Sequence, residues 1–290
     1  MNPRSQPLLL ASLAAAVLGL GGIGWLARDL TSQAGGEGQG SLLDLLEDLP
    51  RPGTAPEPPA RPAPLPPSRP AWSSPLARSC STSSPGAKQQ QMQARLNELR
   101  LNPRRISIDP TNYGERFTRD AFGNPLDPRP RVVVLHETVY GMQSAINTFR
   151  TPHPRDEDQV SYHALVGQDG SVVLLLDPSK RAFGAGNSAF RGQWAITNPA
   201  VGGSVNNFAL HISLETPIDG EHDGSGHSGY SSAQYDGLAA LLALWMEEYK
   251  IPADHITTHR AVDLAGERAD PRSFDWTELR ARLGALQLLC

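Results

Sequence analysis

Two histidines and an aspartate, far apart in the chain, are the residues best suited to do chemistry: His136, His259 and Asp270. Each histidine closes a short apolar run, Val132-Val-Val-Leu135 before His136 and Ile256-Thr-Thr258 before His259. Such runs read as buried strands that deliver an imidazole to the rim of a sheet. Asp270 follows in Arg268-Ala-Asp-Pro271. Two imidazoles and one carboxylate form a recurrent catalytic zinc set, because three protein ligands leave the fourth tetrahedral position open to water. The spacing alone is not specific, since the chain has neither an HExxH helix nor an HxD pair. Glu137 directly follows His136, which does not make the two-histidine, one-carboxylate pattern of a non-haem iron site.

The elements that must position these groups follow from periodicity. Met142, Ala145, Ile146 and Phe149 recur at helical spacing after His136, predicting a helix over 141–150. Residues 162–167 and 171–177, joined by Asp169-Gly170, read as a β-hairpin. From Phe208 to Glu215 the chain alternates, with Phe208, Leu210, Ile212 and Leu214 on one face and His211, Ser213 and Glu215 on the other. Ser231 and Gln234 form a capping-box pattern ahead of a helix whose stripe is Leu238, Leu241, Leu242, Trp245 and Tyr249. Asp275 caps a last helix carrying Trp276, Leu279 and Leu283. Strands and helices alternate irregularly, which predicts an α/β single domain with a central mixed β-sheet flanked by helices, over residues 89–290.

What precedes the domain differs in kind. Residues 8–27 run without a charge for about the ~20 residues that span a bilayer, so residues 1–30 are expected to be a signal anchor; a cleavable signal peptide, with Ser32-Gln-Ala34 as its small-residue site, is the alternative. Residues 31–88 hold 12 of the 26 prolines and are expected to be a disordered spacer. Export follows as the expectation, to a periplasmic or other extracytoplasmic site with the chain held in the cytoplasmic membrane. A net charge of −4 with no basic cluster interleaved with aromatics argues against nucleic acid as a partner. Two cysteines, Cys80 and Cys290, give neither a disulfide framework nor a zinc ribbon.

Four segments in order, VVLHET (133–138), SYHALVGQDGSV (161–172), NNFALHISLE (206–215) and THRAVD with RADPRSFDW (258–276), resemble the N-acetylmuramoyl-L-alanine amidase type 2 family. The family's fold is shared with peptidoglycan recognition proteins and phage lysozyme-type amidases, and the likeness covers about residues 105–285. The resemblance implies zinc held by His136, His259 and Asp270, a catalytic Glu215, and Tyr162 and Arg268 as further active-site groups. It also implies a peptidoglycan or muropeptide substrate, cut between N-acetylmuramic acid and L-alanine by a monomer. Two departures stand out: arginine at 268, where the family usually has lysine, and Asp270-Pro271-Arg272, where it has Asp-Pro-Gly. Asp263 is the rival third ligand, expected instead to brace the loop; His163 is expected to be structural and His211 to support the site from behind. A recognition module that does not hydrolyse, or a zinc peptidase acting on the stem peptide, are the alternatives.

Overall fold

The strand that carries His136 sits deep in the structure and runs one residue past it, to Glu137. The computed structural model describes residues 59–70, 72–76, 86–222 and 224–289. The expected anchor, most of the expected spacer and both cysteines lie outside them. In chain order the elements are α1 (Ala87–Leu101), β1 (Arg104–Arg105), β2 (Tyr113–Glu115), β3 (Val132–Glu137), α2 (Met142–Arg150), β4 (Ala164–Val166), β5 (Val172–Leu174), β6 (Lys180–Ala182), β7 (Ala195–Asn198), β8 (Gly202–Ser204), β9 (Ala209–Leu214), α3 (Ser232–Tyr249), β10 (Ile256–Thr258), α4 (His259–Val262) and α5 (Trp276–Ala285). The main sheet has the order β1-β5-β4-β9-β3-β10. It is mixed, as expected: β3 pairs in parallel with β9 and β10, β4 in parallel with β9, and β4 antiparallel with β5. Two small ribbons, β2-β6 and β7-β8, were not foreseen.

The sheet is apolar on both faces. Val133, Leu135, Ala164, Val166, Leu210, Ile212 and Leu214 pack beneath α1, α3 and α5. On the opposite face Val132, Val134 and Ala209 meet Phe190, Val205, Phe208 and Val262, while Leu165 and Val173 meet Ile146 and Phe149 of α2. A sheet covered on both sides has near-continuous apolar strands, which is why β3 reads Val-Val-Val-Leu rather than alternating. The capping box of α3 is present in full: the Ser231 hydroxyl accepts from the Gln234 amide, and the Gln234 side chain from the Ser231 amide. Sequence periodicity gives α3 one buried stripe, but Tyr235 to Ala243 are buried without interruption. Ala239 and Ala240 belong to the same core, and α1 and α5 both pack against α3. Asp236 ties those helices together, accepting from Lys88 at 2.9 Å, Gln91 at 2.7 Å and the buried Arg282. Gly170, at φ +79°, closes the hairpin turn against α3, where a β-carbon would lie 2.4 Å from the Ala233 carbonyl oxygen.

The described part of the proline-rich segment departs from a free spacer. The Arg61 amide donates to the Phe122 carbonyl, Trp194 Nε1 donates to the Pro64 carbonyl at 2.9 Å, and the Arg69 guanidinium donates to the Asp263 carbonyl. Trp72 lies 6.0 Å from Trp276 between ring centroids, and Leu76 is fully buried in the helical core. Residues 59–70 and 72–76 therefore run as a strap along the domain, held by their few large side chains and by carbonyls that proline leaves free to accept.

Candidate active site

The ends of parallel strands β3 and β10 lie side by side, in the register Thr258 to Leu135, so the residues that follow them emerge together. His136 is the next residue of β3, and His259 opens α4, whose N-cap Thr258 accepts from the Ala261 amide. Asp270 comes from the loop beyond α4 and is held there by backbone pairing, the Arg260 amide donating to the Asp270 carbonyl at 3.0 Å. His136 Nδ1 lies 3.2 Å from Asp270 Oδ2 and His259 Nδ1 3.0 Å from Asp270 Oδ1. The three ligand atoms fall within 4.8 Å of one another. His136 is fully buried, and burial pushes its pKa down to about 4 against the pull of Asp270. Burial also opposes ionisation of Asp270, but hydrogen bonds from the two histidines outweigh it and hold the carboxyl well below its usual range. A neutral imidazole and an ionised carboxylate beside it are the charge states a divalent cation requires. The donor set fits zinc.

Tyr162 stacks on the His136 ring at 4.5 Å and 26°, and burial raises its pKa, so the phenol stays protonated. With His259 and Arg268 it lines a cleft of about 680 Å³ whose far wall includes Phe117, Arg181, Phe183 and Asn206. Asp263 is not directed at the cluster: its carboxylate accepts from the Ala265, Glu267 and Arg268 amides, shaping the loop that presents Arg268. Arg272, where glycine was the family expectation, donates to Glu137 through its amide and side chain and to the carbonyls of Gly220, His222 and Gly224. Glu137 also accepts from the Tyr230 hydroxyl at 2.6 Å and contacts His227 Nε2 at 3.1 Å, so His227 is occupied as loop structure. His153 and His255 are likewise bound to Asn112 and to the Arg131 carbonyl.

Glu215 stands apart from the other expected residues. The β3–β9 register sets Ser213, not Glu215, opposite His136. Ser213 is fully buried and its hydroxyl has no partner among the described residues. Glu215 lies past the end of β9. One carboxylate oxygen accepts from the Met142 amide at 2.7 Å, at the start of α2, and the other from the Gln168 amide at 2.9 Å, beside the hairpin turn. A carboxylate at a helix N-terminus with both oxygens on backbone amides is a clamp.

Behind His136 runs a row of buried imidazoles. His211 Nδ1 lies 2.9 Å from His136 Nε2, and the His211 amide donates to His163 Nδ1 at 3.0 Å. His163 Nε2 is 3.2 Å from the Lys180 carbonyl. Burial, reinforced by the Arg116 charge, lowers the pKa of His163 to about 3. Arg116 is itself largely buried, donating to the carbonyls of Pro178, Asn206, Asn207 and Ala209, and burial brings its pKa down to about 10. Alternation along β9 marks His211 and Ser213 as sharing a face, but no local pattern points to Arg116, whose carbonyl partners lie 62 to 93 residues away.

The chain also matches known proteins in sequence. A family profile described as N-acetylmuramoyl-L-alanine amidase matches residues 126–273. The chain is 34% identical over 178 residues to 1,6-anhydro-N-acetylmuramyl-L-alanine amidase AmpD of Citrobacter freundii, covering 61% of this chain and 75% of that protein. It is 29% identical over 174 residues to the AmpD of Haemophilus influenzae, covering 59% and 74%. A crystal structure of a selenomethionyl AmpD derivative superposes with a TM-score of 0.46 at 26% identity, over 62% of this chain and 93% of that one.

Proposed function

Since this chain belongs to the N-acetylmuramoyl-L-alanine amidase family, we propose that it hydrolyses the amide between the lactyl group of N-acetylmuramic acid and L-alanine in peptidoglycan or its fragments, with zinc as its cofactor. One observation supports this above the others: two imidazole nitrogens and a carboxylate gathered within 4.8 Å, with His259 on the wall of a cleft large enough for a muropeptide. A zinc ion held by His136, His259 and Asp270 would polarise the scissile carbonyl and lower the pKa of water toward ~7.

The chain's own groups then divide the remaining work. Arg268, fixed by the Asp263 loop and always charged, stabilises the oxyanion that develops on the carbonyl. The Tyr162 phenol, protonated because it is buried, supplies a hydrogen bond at the same place. Glu215 is assigned to the framework, where it holds the start of α2 and the hairpin turn in register. With a hydroxyl and not a carboxylate opposite His136, the departing amine takes its proton from solvent in the cleft. The same observation favours one second reading, a recognition domain that binds muropeptide without cutting it. Location follows the sequence: the uncharged run 8–27 supports export and a membrane anchor. No helix among the described residues is long and apolar enough to cross a membrane.

The test is mass spectrometry of muropeptides treated with the purified protein, alongside metal analysis. Release of a stem peptide with a free L-alanine amino terminus, by protein carrying one zinc, is expected. Binding without cleavage would leave the recognition domain, and cleavage within the stem peptide would make the protein a peptidase.

A further inference from the structure

His211 has no part in the chemistry just described, yet it is the side chain that grips the far nitrogen of a ligand. Its ring is fully buried and fits a slot. It stacks on His163 at 5.8 Å and 9°, and a β-carbon at Gly184 would come within 2.5 Å of its Nδ1. The neighbours fix its surroundings, because His163 Nδ1 accepts from the His211 amide and His163 Nε2 is left to donate to the Lys180 carbonyl. Between His136 Nε2 and His211 Nδ1, 2.9 Å apart, lies room for a single proton. The remaining nitrogen, His211 Nε2, is buried without a partner among the described residues.

These facts leave two arrangements of the same two protons. In one, His136 Nδ1–H donates to Asp270 and His211 Nδ1–H donates to His136 Nε2, so His211 Nε2 is an unprotonated acceptor. An unfilled acceptor is the less costly orphan, so this form suits the protein without a cation. It cannot bind metal through His136 Nδ1, whose lone pair is covered. In the other arrangement His136 Nε2–H donates to His211 Nδ1, His211 carries its proton on Nε2, and His136 Nδ1 is free. Passing from the first to the second releases a proton from His136 Nδ1 to solvent, moves one from His211 Nδ1 to His136 Nε2, and takes one up at His211 Nε2. Each ring stays neutral.

We propose that His211 is a positioning residue for the metal: by accepting the Nε2–H of His136 it turns that ring's Nδ1 toward Asp270 and His259, and the two rings exchange tautomers together when a divalent cation is loaded. This rests on the zinc reading above. Partners of this kind set both the orientation and the tautomer of a ligating histidine, and their loss typically weakens metal binding about 10–100-fold.

The experiment compares His211→Asn and His211→Leu in the full chain. The two replacements are close in shape, but only asparagine puts an acceptor where Nδ1 was. Zinc affinity is read by competition with a chromophoric chelator, and ring tautomers by 15N NMR of histidine-labelled wild-type protein with and without zinc. Expected are a loss of about 10–100-fold for His211→Leu, an affinity for His211→Asn close to wild type, and transfer of the His136 proton to Nε2 on loading. Equal affinities of the two variants, or a His136 tautomer that zinc leaves unchanged, would overturn the positioning role while leaving the zinc centre standing. A wild-type protein that takes up no zinc would overturn the reading beneath it. Should either variant fail to fold, the wild-type NMR result decides alone.

Discussion

Glu215→Gln separates the role that resemblance implies from the role proposed above. The carboxylate accepts two backbone amides, from Met142 at 2.7 Å and Gln168 at 2.9 Å. Hydrogen bonds to a charged group contribute about 1.5–3 kcal/mol each, and water can take over part of the one from the exposed Gln168 amide. Glutamine can satisfy one amide through its oxygen, but its NH2 group then faces the other, and the charge that suits the start of α2 is gone, a further ~0.3–1 kcal/mol. The sum is roughly 2–4 kcal/mol, or a drop in Tm of roughly 4–16 °C for a domain of this size. Thermal unfolding followed by circular dichroism measures it, and amidase turnover is read well below the new Tm. With the clamp as its only duty, kcat should stay within about tenfold of wild type. A variant with unchanged Tm and a kcat reduced by about 10²–10⁴, the size of a lost general acid–base group, would refute the argument and return proton transfer to Glu215.

Other outcomes follow from burial and charge. Folded pKa values of about 4 for His136 and about 3 for His163 lie below the ordinary 6.5, so between those limits the unfolded chain binds protons that the fold refuses. Metal-free protein should therefore keep full stability above pH 6.5 and lose roughly 2 kcal/mol per histidine by pH 5, checked by urea unfolding at pH 7.5 and 5; a flat profile would mean the rings are not buried neutral. Leu76→Ala should cost about 2–5 kcal/mol if the strap belongs to the core, and no change in urea midpoint would return residues 59–70 and 72–76 to the role of a free linker. Fractionation should find the protein in membranes with its domain outside, whereas a mature amino terminus at Gly35 would show a cleaved signal.

The layout of the main sheet was legible because its strands and helices carry strong, independent signals. Val132 to Leu135, the alternation from Leu210, the Asp169-Gly170 turn and the Ser231 box each match one element, whereas Phe208, expected on the face of Leu210, precedes β9 and packs on the other. The strand-end histidines found each other because parallel β3 and β10 finish at one rim. Three things were hidden, each for a physical reason. Alternation sets His211, Ser213 and Glu215 on one face but cannot say which of them faces His136, since register is a property of the pairing and not of the strand. The ribbons β2-β6 and β7-β8 are too short to show a period. The strap hides in its composition, where one leucine and one tryptophan hold the chain to the domain amid prolines that argue for disorder.

The slot at Gly184 reaches beyond the present molecule. Because a β-carbon there would overlap the imidazole at 211, the two positions are not independent sites of variation. Any lineage that places a side chain at 184 must first shrink residue 211, and any that acquires histidine at 211 needs 184 already bare. Substitutions arriving in the wrong order pass through a collision on the floor beneath the ligands, so the pair should drift as a unit. A library that randomises position 184 alone would score its glycine as indispensable. One that varies both positions together would recover exchanged pairs, with the bulk moved from one wall of the slot to the other.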